Sequence, residues 1–383
     1  MLSRKVLIFA PKPSLLRFVS SFSSLAKTPQ TPNPIIQDYL LKHFSFNEKQ
    51  ALAVSSRYAH LKSLEKPHSV VRFLKAAGLS DSEIQSTARS VPQILFSSVD
   101  KVIKPKVEFF QGLGISGPCL GKLIVLNPLV LVASLENKLV PCVAILRRIL
   151  INDRNCEDLF KILCRCNQIV CRDPNSLLLP NIAFFESCGI VGSQLAMLLR
   201  RHPMLFVKEE SFLKSIVSKT LSFGFTVESR MFVHGLVSAG TMSDDKVEEK
   251  VQVFKSFGIS KEECCQMFVV APSLMRTSER KLRLAIDFFL NTVKFEREEL
   301  VRRAVLLIYS LEERVIPRYM VTEVIKSKRL LKKEPKFSSL VLLTDEEFEQ
   351  KYIFRFKDNV EELLTAYRAH LLTSSSDEGK DLV

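Results

Sequence analysis

The sequence predicts an all-α, helical-repeat solenoid of about seven units, 32–39 residues apart, stacked into a curved superhelix. Three observations predict it. An apolar run closing on a Phe or Phe-Leu pair, then a Gly, then a second apolar run ending in Pro recurs four times: Phe73-Leu74, Gly78, Pro92; Phe109-Phe110, Gly114, Pro128; Phe184-Phe185, Gly189, Pro203; and Phe254, Gly258, Pro272. Three degenerate copies carry Asn167, Ala239 and Ala304 where Pro would fall, giving successive spacings of 36, 39, 36, 36, 33 and 32 residues. Hydrophobic residues make up 46% of the chain, enough for a continuous core.

Each unit has a physical reading. Before the Gly, apolar residues recur at helical spacing, as Val107, Phe110 and Leu113 do. Gly supplies the left-handed residue that ends a helix. A second apolar helix follows, such as 120–126, and Pro stops it because Pro lacks an N–H and clashes with the preceding turn. The short apolar pieces that begin at Pro92 and Pro128 read as a third short helix, of 3₁₀ type, packed under the pair. One unit cannot bury its apolar face alone, whereas stacked neighbours can.

Residues 1–35 read as an organelle transit peptide. Up to residue 37 there are Arg4, Lys5, Lys12, Arg17 and Lys27, frequent Ser and no Asp or Glu. Early Arg among apolar residues favours the mitochondrial matrix, with the chloroplast stroma as the alternative. Residues 36–68 read as an N-terminal helical cap, with a second helix near 48–58, and 69–319 as the repeats. Met242 to Glu249 reads as a polar interruption. Residues 320–372 read as a C-terminal cap: one helix at 321–333, Thr344 as an N-cap, and a last helix from about 358 to 372. The Ser-rich 373–383 reads as an unstructured tail.

Little in the chain points to catalysis. Gly112, Gly114 and Gly117 spell GxGxxG, but a helix rather than a strand precedes them and only Gly114 is periodic. Cys156, Cys164, Cys166 and Cys171 lack CxxC spacing and a nearby His, so no metal or other cofactor is expected, and the nine Cys read as buried thiols. The six His are scattered, and no nucleophile–base signature occurs, so a non-enzyme is expected. The Phe pairs 109/110, 184/185 and 288/289 could serve as base-stacking platforms, but their helical register assigns them to the core. No apolar run is long enough for a membrane span, and a monomer is expected.

Charge is more informative. The net charge is +14; without the five early cations it is +9, from 50 basic and 41 acidic residues. Between 302 and 333 stand Arg302, Arg303, Arg314, Arg318, Lys326, Lys328, Arg329, Lys332 and Lys333, against Glu312, Glu313 and Glu323. Arg147-Arg148 and Arg200-Arg201 close second helices. Cations projecting from successive units can follow phosphates along a duplex.

Two stretches resemble the plant mitochondrial transcription termination factor (mTERF) family. One is the repeated unit with Pro-x-Leu, as in ValProGlnIleLeu (91–95) and, as ProMetLeu, in HisProMetLeuPhe (202–206). The other is TyrSerLeuGluGluArgValIleProArgTyr (309–319), similar to that family's terminal-repeat motif. The resemblance covers roughly 36–370. It implies a crescent-like array of helical units and binding of organellar double-stranded DNA in transcription termination or regulation. It also implies, for some members, RNA binding in group II intron splicing. The candidate contacts are Arg314 and Arg318, which lie in the motif, then Arg302, Arg303, Lys332 and Lys333, then Arg200, Arg201, Arg147 and Arg148. Organellar transcription or splicing proteins are further expected partners. A protein-interaction scaffold with a basic face is the reading from another class.

Overall fold

In a computed structural model, which describes residues 31–151 and 153–377 and side chains as far as 368, every regular element among the described residues is a helix. Most of the transit-peptide segment lies outside the described residues, as does Asn152 of the turn expected at 152–155. The chain forms two compact units. One extends to Val140 and takes in Asn155–Cys171; the other holds Pro141–Arg154 and everything from Arg172.

The periodic glycines end helices as their spacing predicts. Helix Lys104–Gly112 stops with Gly114 at φ +85°. The Ile115 N–H reaches back to the Phe110 carbonyl at 3.0 Å and the Gly114 N–H to Gln111 at 2.9 Å. That pair of bonds is the Schellman closure, and it drives the following residue, Ile115, into the core at 3% exposure. Gly78, Gly189 and Gly258 repeat it with Leu79, Ile190 and Ile259. Nothing crowds a Cβ built on Gly114, so Gly114→Ala tests the backbone alone. We expect it to lower stability by about 1–2 kcal/mol, the cost of a left-handed non-glycine residue. An equilibrium urea titration with unchanged m-value checks this.

Each proline marker starts a 3₁₀ helix: Pro92–Phe96, Pro128–Leu131, Pro203–Val207 and Pro272–Arg276. Asn167 and Ala304 also start one, at Asn167–Val170 and Ala304–Ile308, so Pro is not required there. Ala239 does not. It lies inside helix Phe232–Gly240, where Phe232, Val233, Gly235, Leu236, Val237, Ser238 and Ala239 are all buried, and no 3₁₀ helix follows. Gly224 at φ +89° nevertheless keeps the helix-ending position of this unit. The supposed interruption at 242–249 is instead a helix start: Ser243 accepts from the Lys246 N–H and caps helix Asp244–Lys255.

A second set of prolines escaped the sequence reading. Pro105, Pro141 and Pro317 each sit seven residues after a serine cap (Ser98, Ser134, Ser310) and just beyond a π-helical turn: Val99–Ile103, Leu135–Leu139 and Leu311–Val315. The widened turn suits a residue that cannot donate and whose ring would strike the carbonyl four residues back.

The second member of each Phe pair, Phe110, Phe185 and Phe289, has no exposed surface. Phe185 meets Phe206 at 5.2 Å and Phe254 meets Phe268 at 6.0 Å between ring centres. These rings are core, as their register predicts.

After the repeats the chain runs through helices Ile316–Ser327, Phe337–Leu342, Asp345–Tyr352 and Val360–Asp377. The first begins five residues earlier than expected, because the Ser310 cap and the π-turn, not Val321, start it. Thr344 forms a capping box with Glu347, as expected for an N-cap. The last helix continues to Asp377, into the segment expected to be an unstructured tail.

Candidate nucleic-acid interface

Of the cations in 302–333, the two that lie in the family-like motif point inward. Arg318 is fully buried. Its Nη1 donates to the carbonyls of Leu340 (2.6 Å), Val341 (3.0 Å) and Leu343 (2.8 Å), and its Nη2 to Asp345 Oδ1 (2.7 Å). The guanidinium lies 4.8 Å from the centre of the Phe348 ring. Arg314 donates from Nε to Val341 O at 3.1 Å and from Nη2 to Leu343 O, and stacks 4.7 Å over Tyr309. The carbonyls they satisfy belong to helix Phe337–Leu342 and the residue after it, where the last turn runs short of backbone donors and the Leu343 N–H reaches only Leu340 O. As placed here, both arginines cap this helix end, with the buried Arg318 Nε left without a partner among the described residues, whereas the expectation had them lead the phosphate contacts.

The same device recurs along the chain. A donor from the first helix of a unit, or the turn that leads into it, reaches a carbonyl at or just past the end of a later 3₁₀ helix. Lys106 Nζ bonds Leu131 O at 2.9 Å, Lys138 Nζ bonds Cys171 O at 2.7 Å, and Lys281 Nζ bonds Ile308 O at 2.7 Å. Asn181 Nδ2 bonds Phe206 O and Lys208 O, and Lys250 Nζ bonds Thr277 O. Burial lowers the pKa of Lys106 and Lys250 below the usual lysine value. Part of the basic excess is therefore internal capping, which a count of charges cannot separate from a binding face.

The remaining candidates are placed differently. Arg302 is exposed in the last turn of helix Arg297–Arg302; Arg303 is about a third exposed, its Nε 3.5 Å from Glu299 Oε1. Lys332 and Lys333 are exposed in the connection between helices Ile316–Ser327 and Phe337–Leu342. Arg329 and Lys336 join them there, with Lys326 in the last turn of helix Ile316–Ser327, opposed within residues 326–336 only by Glu334. Lys328 is drawn off by Glu362 at 2.7 Å. Lys326, Arg329 and Lys332 share a shallow depression of about 360 Å³ with Thr322 and Glu334. Arg329 sits at φ +54° and holds the helix-ending position that Gly fills elsewhere, with the Leu330 N–H bonded to Ile325 O at 3.0 Å. A residue type disfavoured at that backbone position is the signal by which sequence could have singled it out.

Arg147 and Arg148 are exposed in the last turn of helix Val140–Ile149. Arg200 and Arg201 are exposed in the last turn of helix Gly192–Arg201, Arg200 Nε bonded to Ala196 O at 3.2 Å. Among the described residues no group of three or more His, Cys, Asp or Glu could hold a metal, and no helix is long and apolar enough to cross a membrane. What the geometry offers is solvent-facing cations at helix ends and in one connection, the chemistry of phosphate contact.

The comparisons with known proteins agree with the repeat architecture. The mTERF family model matches residues 40–239 and 236–349. The chain is also similar to the Arabidopsis thaliana protein named transcription termination factor MTERF8, chloroplastic. It is 23% identical over 265 residues, which are 69% of this chain and 51% of that protein. The chain thus spans about half the length of the curated relative it matches. With the family model covering most of its length and the helix–Gly–helix–3₁₀ unit recurring in its structure, this chain belongs to the mTERF family.

Proposed function

We propose that this protein binds nucleic acid in an organelle, double-stranded DNA first, and regulates transcription there by termination or pausing. The observation that carries the proposal is the exposed segment Lys326–Lys336, where Lys326, Arg329, Lys332, Lys333 and Lys336 face solvent against a single acidic residue of the segment. Helix-end cations Arg302, Arg147, Arg148 and Arg201 extend the set. Backbone phosphates are the complementary ligand, and their recognition needs positive charge at intervals rather than a closed pocket. Support for an organelle comes from the acid-free, basic residues 1–37 and from the word chloroplastic in the relative's name. The mitochondrial matrix remains our reading from the early arginines. Arg314 and Arg318 enter this proposal only as groups that hold the basic segment's flanking helices in place.

The test is binding of the full chain to duplex DNA and to structured RNA of matched length at 100 mM salt, read by fluorescence anisotropy. We expect saturable binding with duplex DNA the tighter ligand. Tighter RNA binding would move the role to intron splicing, and retention of neither, with capture of an acidic protein instead, would favour the scaffold.

A further inference from the structure

Two basic side chains meet at helix Phe232–Gly240, in the unit that lost its 3₁₀ helix, and a third closes a 3₁₀ helix packed against it. Arg201 closes helix Gly192–Arg201, and its Nη1 lies 3.4 Å from Nδ1 and 3.5 Å from Nε2 of His234. His234 stands in the first turn of helix Phe232–Gly240. Arg276 closes the 3₁₀ helix Pro272–Arg276, which packs on that same helix, and is close enough for its charge to act on His234. Arg201 and Arg276 are exposed, and neither has a carboxylate within ion-pair distance among the described residues.

That grouping is electrostatically incomplete. Burial first, and then Arg201 and Arg276, push the His234 pKa below the usual histidine value. Helices Glu210–Ser222 and Lys261–Val270 also pack on helix Phe232–Gly240, and neither supplies a charge that shifts it. One guanidinium therefore lies against the imidazole and a second acts on it from the packed 3₁₀ helix, both disfavouring its charged form. Arg297, by contrast, approaches its neighbours through Gly258 O and Glu263. An anion between the three groups would accept from both guanidiniums and, as imidazolium, from His234.

We infer that Arg201, His234 and Arg276 form a phosphate-binding site, and that its occupant is one backbone phosphate of the bound nucleic acid. This rests on the nucleic-acid reading above and deepens it, placing a contact outside the Lys326–Lys336 segment. The three groups come from three successive helical units, so one phosphate would tie those units together.

Two arms separate this site from that reading. In the first, His-labelled full-length protein is titrated with sulfate, a non-titrating tetrahedral anion, and the His234 ring is followed by NMR as a function of pH. We expect a saturable shift and a raised His234 pKa, since an anion favours the charged ring. Both should vanish in R201A/R276A. No movement of His234 across the titration would overturn the site, whether or not nucleic acid binds. In the second arm, the salt dependence of duplex binding is compared for wild type and R201A/R276A. Loss of one phosphate contact lowers the slope by about 0.9. An unchanged slope beside a sulfate-responsive His234 would overturn the assignment of nucleic acid as the occupant. A sulfate response in a protein that binds no duplex or RNA would keep the anion site and sink the nucleic-acid reading. H234Q, which keeps a polar ring-sized group but cannot charge, should remove the pH dependence while leaving most of the sulfate affinity with the two arginines. An unaltered pH profile in that variant would also count against the site.

Discussion

Replacing Arg318 with Ala is expected to destabilise the second unit by about 3–5 kcal/mol, the range for truncating a large, fully buried side chain. The side chain has no exposed surface and satisfies the carbonyls of Leu340, Val341 and Leu343. Its loss would take one donor from each of these carbonyls, leaving Val341 and Leu343 to Arg314 and Leu340 to the Leu343 N–H, and would open a cavity beside Phe348. Asp345 is the opposite case. Its side chain is 67% exposed, so Asp345→Ala leaves no cavity and should cost less than Arg318→Ala, the remaining cost coming from the guanidinium charge it leaves without a carboxylate. A thermal melt of the two variants checks the asymmetry. If Arg318→Ala melts with wild type, the guanidinium is not the cap described, and it would return to the list of ligand contacts.

The second large effect is on binding. If the exposed cations engage six to ten phosphates, affinity for a duplex should fall roughly 10³–10⁵-fold between 50 and 200 mM salt. The effect is this steep because each neutralised phosphate releases condensed counterions, and raising salt makes that release less favourable. A scaffold docking an acidic protein through a few rim pairs would show a far shallower fall, since exposed pairs each contribute little. A two-point measurement at these salt concentrations already separates the cases.

How much of this was legible follows the physics of each signal. Local backbone requirements show in sequence: Gly114 is needed where φ is positive, and Pro128 where a helix must stop, so the repeat and its period were readable. Ala239 misled because an apolar helix buried on nearly all sides looks the same whether or not a 3₁₀ turn follows it. The serine–proline pairs such as Ser98 and Pro105 carried a readable period that the more conspicuous glycines masked. The site was harder. Arg318 and Lys332 are both basic and fourteen residues apart, and nothing local distinguishes a cation that caps carbonyls 22–25 residues downstream from one that faces water. That distinction is set by tertiary packing. Arg201, His234 and Arg276 were scattered in sequence for the same reason, and only the stacking of helix Phe232–Gly240 on its neighbours brings them together.

The most direct test of the central claim, that the exposed connection after helix Ile316–Ser327 contacts phosphates, is the salt slope of duplex binding for the variant K326A/R329A/K332A/K333A. All four side chains are exposed, so the variant should melt close to wild type. The account predicts that the slope of log K against log salt falls by roughly 3.6, four contacts at about 0.9 each, with affinity lost most at low salt. A slope and affinity equal to wild type in a folded variant would contradict it and place the nucleic-acid face elsewhere on the protein.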